Sequence, residues 1–372
     1  MIVNPSAGRP TAVDPTVAPT AAGTPEAVTE AAPAIRRPPG LRRGAGVAVV
    51  LAALAALAAL VALSLSHGSN PIPAADVWAG LRARDATEAS LIVWEERVPR
   101  TLVGVVVGGA FGVAGALIQA LTRNPLADPG ILGVNAGAGF AVTLGVGLFG
   151  LSGITGYVWC AFAGAAVATV LVCTIGSAGR GAASPATLVL AGVALAAVLN
   201  GFSTFLTLID PDTFRSIRNW GLGSIARTGL ADTAAVAPFL VLGLAIAVAV
   251  SGSLNSIALG DDLAASLGTG VLRTRTLGIT AVTLLAGGAT ALTGGVAFVG
   301  LMVPHIVRWF VGPDQRWIIV LSALAAPALV LAADVLGRVI ARPGEVEVGV
   351  LTAVIGAPVL IALVRRWRVS GL

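Results

Sequence analysis

The chain has 372 residues, 56% of them hydrophobic and 11% charged, with a formal net charge of +5. A soluble protein carries about 25% charged residues, so a water-covered globule is excluded and an all-α polytopic membrane protein is expected. All 23 basic residues are arginine, which excludes a Walker-type phosphate loop, because that loop needs a lysine.

The positive charge does not point to nucleic acid. Arginines gather at the cytoplasmic boundary of membrane spans, and a polytopic chain needs no other reason for them. Residues 1–40 hold eight prolines and no aromatic residue, the composition of a disordered tail. The expected division is a cytoplasmic tail over 1–43 and a transmembrane domain over 44–372. Arg36, Arg37, Arg42 and Arg43 precede an uncharged run at 44–66. A signal peptide has an apolar region of only about 7–15 residues, so this run is read as a true first span, with the tail inside. The paired arginines resemble a twin-arginine export signal only weakly, as no apolar pair follows them.

About 20 apolar residues cross a bilayer core of about 30 Å. Further spans are expected at 99–121, 131–150, 155–177, 187–208, 233–253, 276–292, 294–310, 317–338 and 348–365, making ten in all. Thr293, Gly294 and Gly295 separate the seventh and eighth of these. An even count returns the C-terminus to the cytoplasm, where Arg365, Arg366 and Arg368 anchor it. A sizeable minority of arginines then faces outward, among them Arg97 and Arg100 in the stretch EERVPRT at 95–101. Pro99 between them suits the first turn of a helix.

Gly104, Gly108 and Gly112 recur every four residues on the second span, and Gly133 and Gly137 on the third. This spacing lets helix backbones approach closely, either as static packing, the favoured reading, or as a sliding interface. Cys160 and Cys173 share one run and would lie about 20 Å apart along a helix, too far to bridge. His67 and His305 fall on opposite sides of the membrane, which disfavours a metal site built on them. The span centres hold no acid or base of the kind that marks a proton relay. Asp334, near the outer end of the ninth span, can pair with Arg338 four residues on.

The longest cytoplasmic connection reads SLNSIALGDDLAASLGTGVLRTR. Asp261 suits a helix start and Gly268 the residue after its end. Leu259, Leu263 and Leu267 recur every four residues, giving a short helix with an apolar stripe outside the membrane run. It either docks into a partner's groove or folds against the end of its own bundle, and the pattern leaves both open.

Six stretches, taken in order, resemble a known family: RNPLADPGILGVNAGAG (123–139), LAGVAL (190–195), ALGDDLAASLG (258–268), AFVGLMVPHIVR (297–308), LAADVLGR (331–338) and GEVEVGVLTAVIGAP (344–358). They are similar to the permease subunits of iron-siderophore and cobalamin ABC importers, and the likeness runs from about residue 91 to 368. The resemblance implies ten helices per subunit and a bacterial inner-membrane location with both termini cytoplasmic. It implies a second permease subunit, two ATPase subunits and an extracytoplasmic substrate-binding protein as partners. No cofactor is expected in this chain itself; ATP and Mg belong to the ATPase. Leu259, Gly260, Asp261, Asp262, Leu263, Leu267 and Gly268 match the helix that couples to the ATPase. Ser184, Pro185, Ala186 and Thr187 match the turn that narrows the pathway at its cytoplasmic end. Here the chain departs from the cobalamin importer, which has two small hydroxyl residues where this chain has Pro185 and Ala186. Arg97, Arg100 and Arg338 match outward positions that receive acidic residues of the binding protein. The cargo implied is a ferric-siderophore chelate, with cobalamin and haem as lesser options. Rival readings are a secondary exporter of drugs or metabolites, or a membrane scaffold that carries no flux. The coupling loop and the uncharged span centres speak against the exporter.

Overall fold

The computed structural model describes residues 43–177, 185–210, 217, 218 and 220–369. The tail over 1–42 and the turn residue Ser184 lie outside them. Among the described residues every regular element is helical. Helix α1 spans Arg43–Ser66. Helix α2, Ala74–Arg82, lies in the connection that follows. Helix α3 runs 35 residues, Glu88–Thr122. Then come α4 (Val134–Phe149), α5 (Gly153–Ser177), α6 (Pro185–Ile209), α7 (Leu230–Ile257) and the short α8 (Asp261–Ser266). The chain finishes with α9 (Val271–Thr293), α10 (Val299–Val311), α11 (Gln315–Ile340) and α12 (Val348–Val369).

Each of the ten expected spans falls on one of these helices. Seven helices are long and apolar enough to cross a membrane unaided; α4, α10 and the apolar part of α12 are shorter. The break expected at Thr293-Gly294-Gly295 is present: α9 ends at Thr293, and Gly294 follows at φ 75°.

The central helix is α3, whose buried face meets α11, α9 and α10. Lipid gives no hydrophobic drive between helices, so close packing must hold them. The glycine stripe on α3 serves that end. A methyl built on Gly108 would lie 2.6 Å from the Pro327 Cα of α11, and one on Gly112 would lie 2.5 Å from the Ser322 carbonyl oxygen. Gly137 repeats the pattern between α4 and α5, against the Gly164 carbonyl at 2.4 Å. Gly133 does not belong to this set: it sits at φ 73° as the turn that starts α4, a conformation glycine adopts at little cost.

One side chain repairs a backbone defect in this core. Pro304 inside α10 has no N–H to offer the Gly300 carbonyl four residues earlier. The buried Gln119 of α3 points its Nε2 there, 3.4 Å from the Gly300 oxygen and 3.0 Å from that of Leu301. In lipid such an orphan carbonyl finds no water, so a donor from a neighbouring helix is needed.

The start of α3 differs from expectation. Pro99 does not open the helix; Thr87 does, its hydroxyl accepting from the Ser90 N–H. The residues Ile92–Arg97 then form a π-helical turn, with the Val98 N–H donating to the Val93 carbonyl. Pro99 has no N–H for the Glu95 carbonyl, and the wider turn just before it accommodates that gap.

Candidate functional site

At one pole, three arginines converge on the end of α1 and a fourth lies beside them. The last carbonyls of a helix have no partners within it. Here Arg97 donates to the carbonyls of Leu65 and Ser66, both at 2.9 Å, and to that of Asn70 at 2.9 Å. Arg338 donates to the carbonyls of Ser64 at 3.0 Å and His67 at 2.7 Å, and to the Ser64 hydroxyl at 2.8 Å. Arg342 reaches the carbonyl of Gly68 at 3.0 Å. Cations also complement the negative end of the helix dipole. The fourth, Arg100, grips Asp334 with Nε at 3.0 and 3.1 Å and a terminal nitrogen at 2.7 Å, while its other terminal nitrogen holds Glu345 at 2.7 Å. The expected Asp334–Arg338 pair is formed at 2.7 Å.

This geometry bears on the docking role expected of Arg97, Arg100 and Arg338. Arg97 is 3% and Arg338 2% exposed, and the Arg100 side chain is 11% exposed. Their terminal nitrogens are turned inward and bonded, while the Nε of Arg97 and of Arg338 are buried without a partner among the described residues, so a partner's carboxylate would have to break this network to reach them. Glu345 is part of the same arrangement. Burial pushes its carboxyl up, but the bond to Arg100 and the charge behind it outweigh burial and hold it below the usual carboxylate range.

Exposed arginines at this pole include Arg227 and Arg342 and two on the segment between α1 and α3. Arg82 and Arg84 are exposed. Arg84 lies 5.2 Å over the Trp94 ring and 3.6 Å from Glu95. Trp94 in turn donates its indole N–H to the Gly80 carbonyl at 3.0 Å, tying α2 to α3. Hydropathy passed over this segment because it is short and mixed; the Thr87 cap and the tryptophans were its signals.

At the opposite pole α8 begins and ends where expected. Gly260 precedes it at φ 112°, and Gly268 follows at φ 81°. The N–H of Gly268 donates to the Ala265 carbonyl and that of Thr269 to the Ala264 carbonyl, both at 2.9 Å, the paired bonds of a Schellman end. Leu259, Leu263 and Leu267 are 61%, 48% and 61% exposed, so the stripe is not folded against the bundle. Leu272, 80% exposed at the start of α9, extends this apolar surface; it stands outside the four-residue repeat and was missed for that reason. Asp261 is bridged by Arg123, just past α3, and by Arg275 of α9 at 2.9 Å, while Asp262 is exposed.

Of the turn expected to form the gate, Pro185 begins α6 and Ala186 is exposed. The Thr187 hydroxyl donates to the Gly176 carbonyl at 3.2 Å, joining the adjacent ends of α5 and α6. The lower face of α6 presents Leu190 at 71% exposure. Among the described residues no cluster of three or more His, Cys, Asp or Glu side chains could hold a metal ion.

The sequence profile of the FecCD transport family matches residues 56–366. The ferric enterobactin transport system permease protein FepD of Escherichia coli is 50% identical over 305 residues, which is 82% of this chain and 91% of that protein. The Fe(3+)-citrate import system permease protein YfmD of Bacillus subtilis is 38% identical over 306 residues, again 82% and 91% of the two chains. Among solved structures, a metal-chelate type ABC transporter in an inward-facing conformation superposes with a TM-score of 0.75 at 25% identity, covering 86% of this chain and 99% of that one.

Proposed function

The chain belongs to the FecCD transport family, and we propose that it is the permease subunit of an ABC importer that carries a ferric siderophore into the cytoplasm. The observation that carries this reading is α8: a helix off the end of the bundle with a bare leucine stripe, in a chain without a single lysine. The partner that fills the stripe is an ATPase subunit, and ATP with Mg is bound there. A second permease subunit packs beside this one, two ATPase subunits lie below, and a binding protein delivers cargo from outside. Ten crossings, three of them by shorter helices, leave both termini in the cytoplasm. The turn at Ser184, Pro185, Ala186 and Thr187 narrows the cytoplasmic end of the pathway.

The outer face keeps its docking role, but through different residues. Exposed Arg82, and Arg84 through an exchange of its exposed pair with Glu95, meet acidic side chains of the binding protein, while Arg97, Arg100 and Arg338 hold the frame beneath them. A guanidinium binds a carboxylate through two parallel bonds, and complementary charge speeds docking more than it tightens it.

Reconstitution with the cognate ATPase and binding protein tests the function. Uptake of a labelled ferric siderophore into proteoliposomes should require ATP; uptake driven by an ion gradient without ATP would overturn the importer reading. Deletion of the gene should slow growth under iron starvation, and a cobalamin requirement with intact iron uptake would reassign the cargo. Orientation is checked with single cysteines at Ala83 and Ser266 in a chain lacking Cys160 and Cys173. They should label from opposite sides of the membrane.

A further inference from the structure

Helix α8 is held to the rest of the protein in a way that its docking role alone does not require. It is suspended between Gly260 and Gly268, both at positive φ, and a Cβ at either would meet no neighbour within 4 Å. These glycines therefore serve backbone conformation rather than close packing. Of the helix's own residues only Ala264 is buried. Against this slight apolar anchorage stands one ionic knot at Asp261. Its Oδ2 lies 2.9 Å from an Arg275 terminal nitrogen on α9, and its Oδ1 accepts from Arg123 at the end of α3.

Arg123 occupies a position where glycine is the ordinary residue. It follows α3 at φ 50° and ψ 30°. Its N–H donates to the Ala120 carbonyl at 3.3 Å and the Asn124 N–H to that of Gln119 at 3.2 Å, so it is the left-handed residue of a Schellman end. A side chain there costs conformational energy that glycine would not. What the arginine adds is a guanidinium that spans to α8. The Leu126 N–H donates to the Asn124 side chain at 2.9 Å and fixes the turn from which that guanidinium extends. Farther up α3, Arg100 is fixed as well, to Asp334 of α11. One carboxylate on α8 is thus held by two cations from two different membrane helices, and a shift of α8 pulls on both.

We propose that Arg123, Asp261 and Arg275 form a positioning latch that passes displacement of α8 into α3 and α9, so that ATPase motion drives the permease; this rests on the reading of α8 as the ATPase-docking helix. The Arg123 and Asp261 side chains are 38% and 39% exposed. Pairs in that setting are weak and screened by salt, which suits a contact remade in every transport cycle.

Arg123→Gly removes the guanidinium while keeping the left-handed turn, and Asp261→Asn removes the charge without changing shape. Asp261→Glu keeps the charge and serves as the conservative control. In the isolated permease, hydrogen exchange across 260–268 should quicken about two- to tenfold in the first two variants and stay near wild type in the third. In the full transporter in proteoliposomes, Arg123→Gly, which lies outside α8, should still co-purify with the ATPase and hydrolyse ATP. Chelate imported per ATP hydrolysed should fall about threefold or more, a coupling loss well within the range of known site-to-site couplings. Unchanged exchange and unchanged import per ATP would overturn the latch. So would loss of ATPase binding in Asp261→Asn, which would make Asp261 part of the docking surface. Leu263→Asp separates this from the reading beneath it. If that variant still assembles, the docking reading fails, while exchange in the isolated permease still decides whether the latch exists.

Discussion

Arg338 reaches 274 residues back along the chain to Ser64, holding both its carbonyl and its hydroxyl. That contact accounts for a cation placed where the positive-inside rule gives it no place. Arg97, Arg338 and Arg342 complete a helix end that lipid and sparse water would leave unsatisfied. Arg338→Ala should lower the stability of the purified permease by about 3 kcal/mol or more, because it strips one partner from a buried ionic and carbonyl network. Thermal unfolding in detergent measures this, and a change under about 0.5 kcal/mol, the level of an ordinary surface substitution, would show the network to be dispensable.

Docking of the binding protein should respond to the exposed arginines instead. The double change Arg82→Glu with Arg84→Glu should slow association at low salt and leave the thermal transition in place, since exposed pairs contribute only about 0.2–1 kcal/mol each. Arg97→Glu should do the reverse, unsettling the fold by placing an acid against three carbonyls. Surface-capture kinetics at two salt concentrations, beside a melting curve, separate the two.

Gly108→Ala probes the α3–α11 contact. Its methyl meets the Pro327 backbone, which cannot rotate away, so the helices must part. A loss of about 1–3 kcal/mol is expected. The neighbouring Gly109, whose nearest contact from a built Cβ is 3.4 Å, should accept alanine with a much smaller change.

Stability should fall in acid through Glu345. Its carboxyl is held below the usual range in the folded protein. The unfolded state then takes up the proton first as pH drops. The contribution is present above the ordinary carboxylate value of about 4.3 and is lost as pH falls through the lower folded value. Melting temperatures recorded between about pH 6 and 3 should bend downward in the wild type. Glu345→Gln should lie lower at neutral pH and bend less.

The parts legible in the sequence share a cause: they are local. An apolar run must be a helix in lipid whatever it packs against, so span positions follow from composition alone. The ends of α8 follow from Asp261 and Gly268 because capping is decided within one turn. The Asp334–Arg338 pair follows from four-residue spacing. What sequence reading missed depends on distant partners. Arg97 looks like any boundary arginine until the carbonyls of Leu65, Ser66 and Asn70 are brought beneath it. The docking assignment for Arg97, Arg100 and Arg338 rests on resemblance to family positions, and such a match does not report which way a guanidinium turns. The early start of α3 escaped because hydropathy looks for uncharged runs, whereas Thr87 and Glu88 open the helix ahead of one.

The capping of α1 also sets an order of assembly. Helix α1 leaves the ribosome before Arg97, Arg338 and Arg342, which all lie downstream of it. Arg97 emerges soon after and can close the carbonyls of Leu65 and Ser66 early. Those of Ser64, His67 and Gly68 wait for α11 and the turn beyond it. A helix made early is therefore completed late: a nascent chain halted before Arg338 holds α1 with the carbonyls of Ser64, His67 and Gly68 still open.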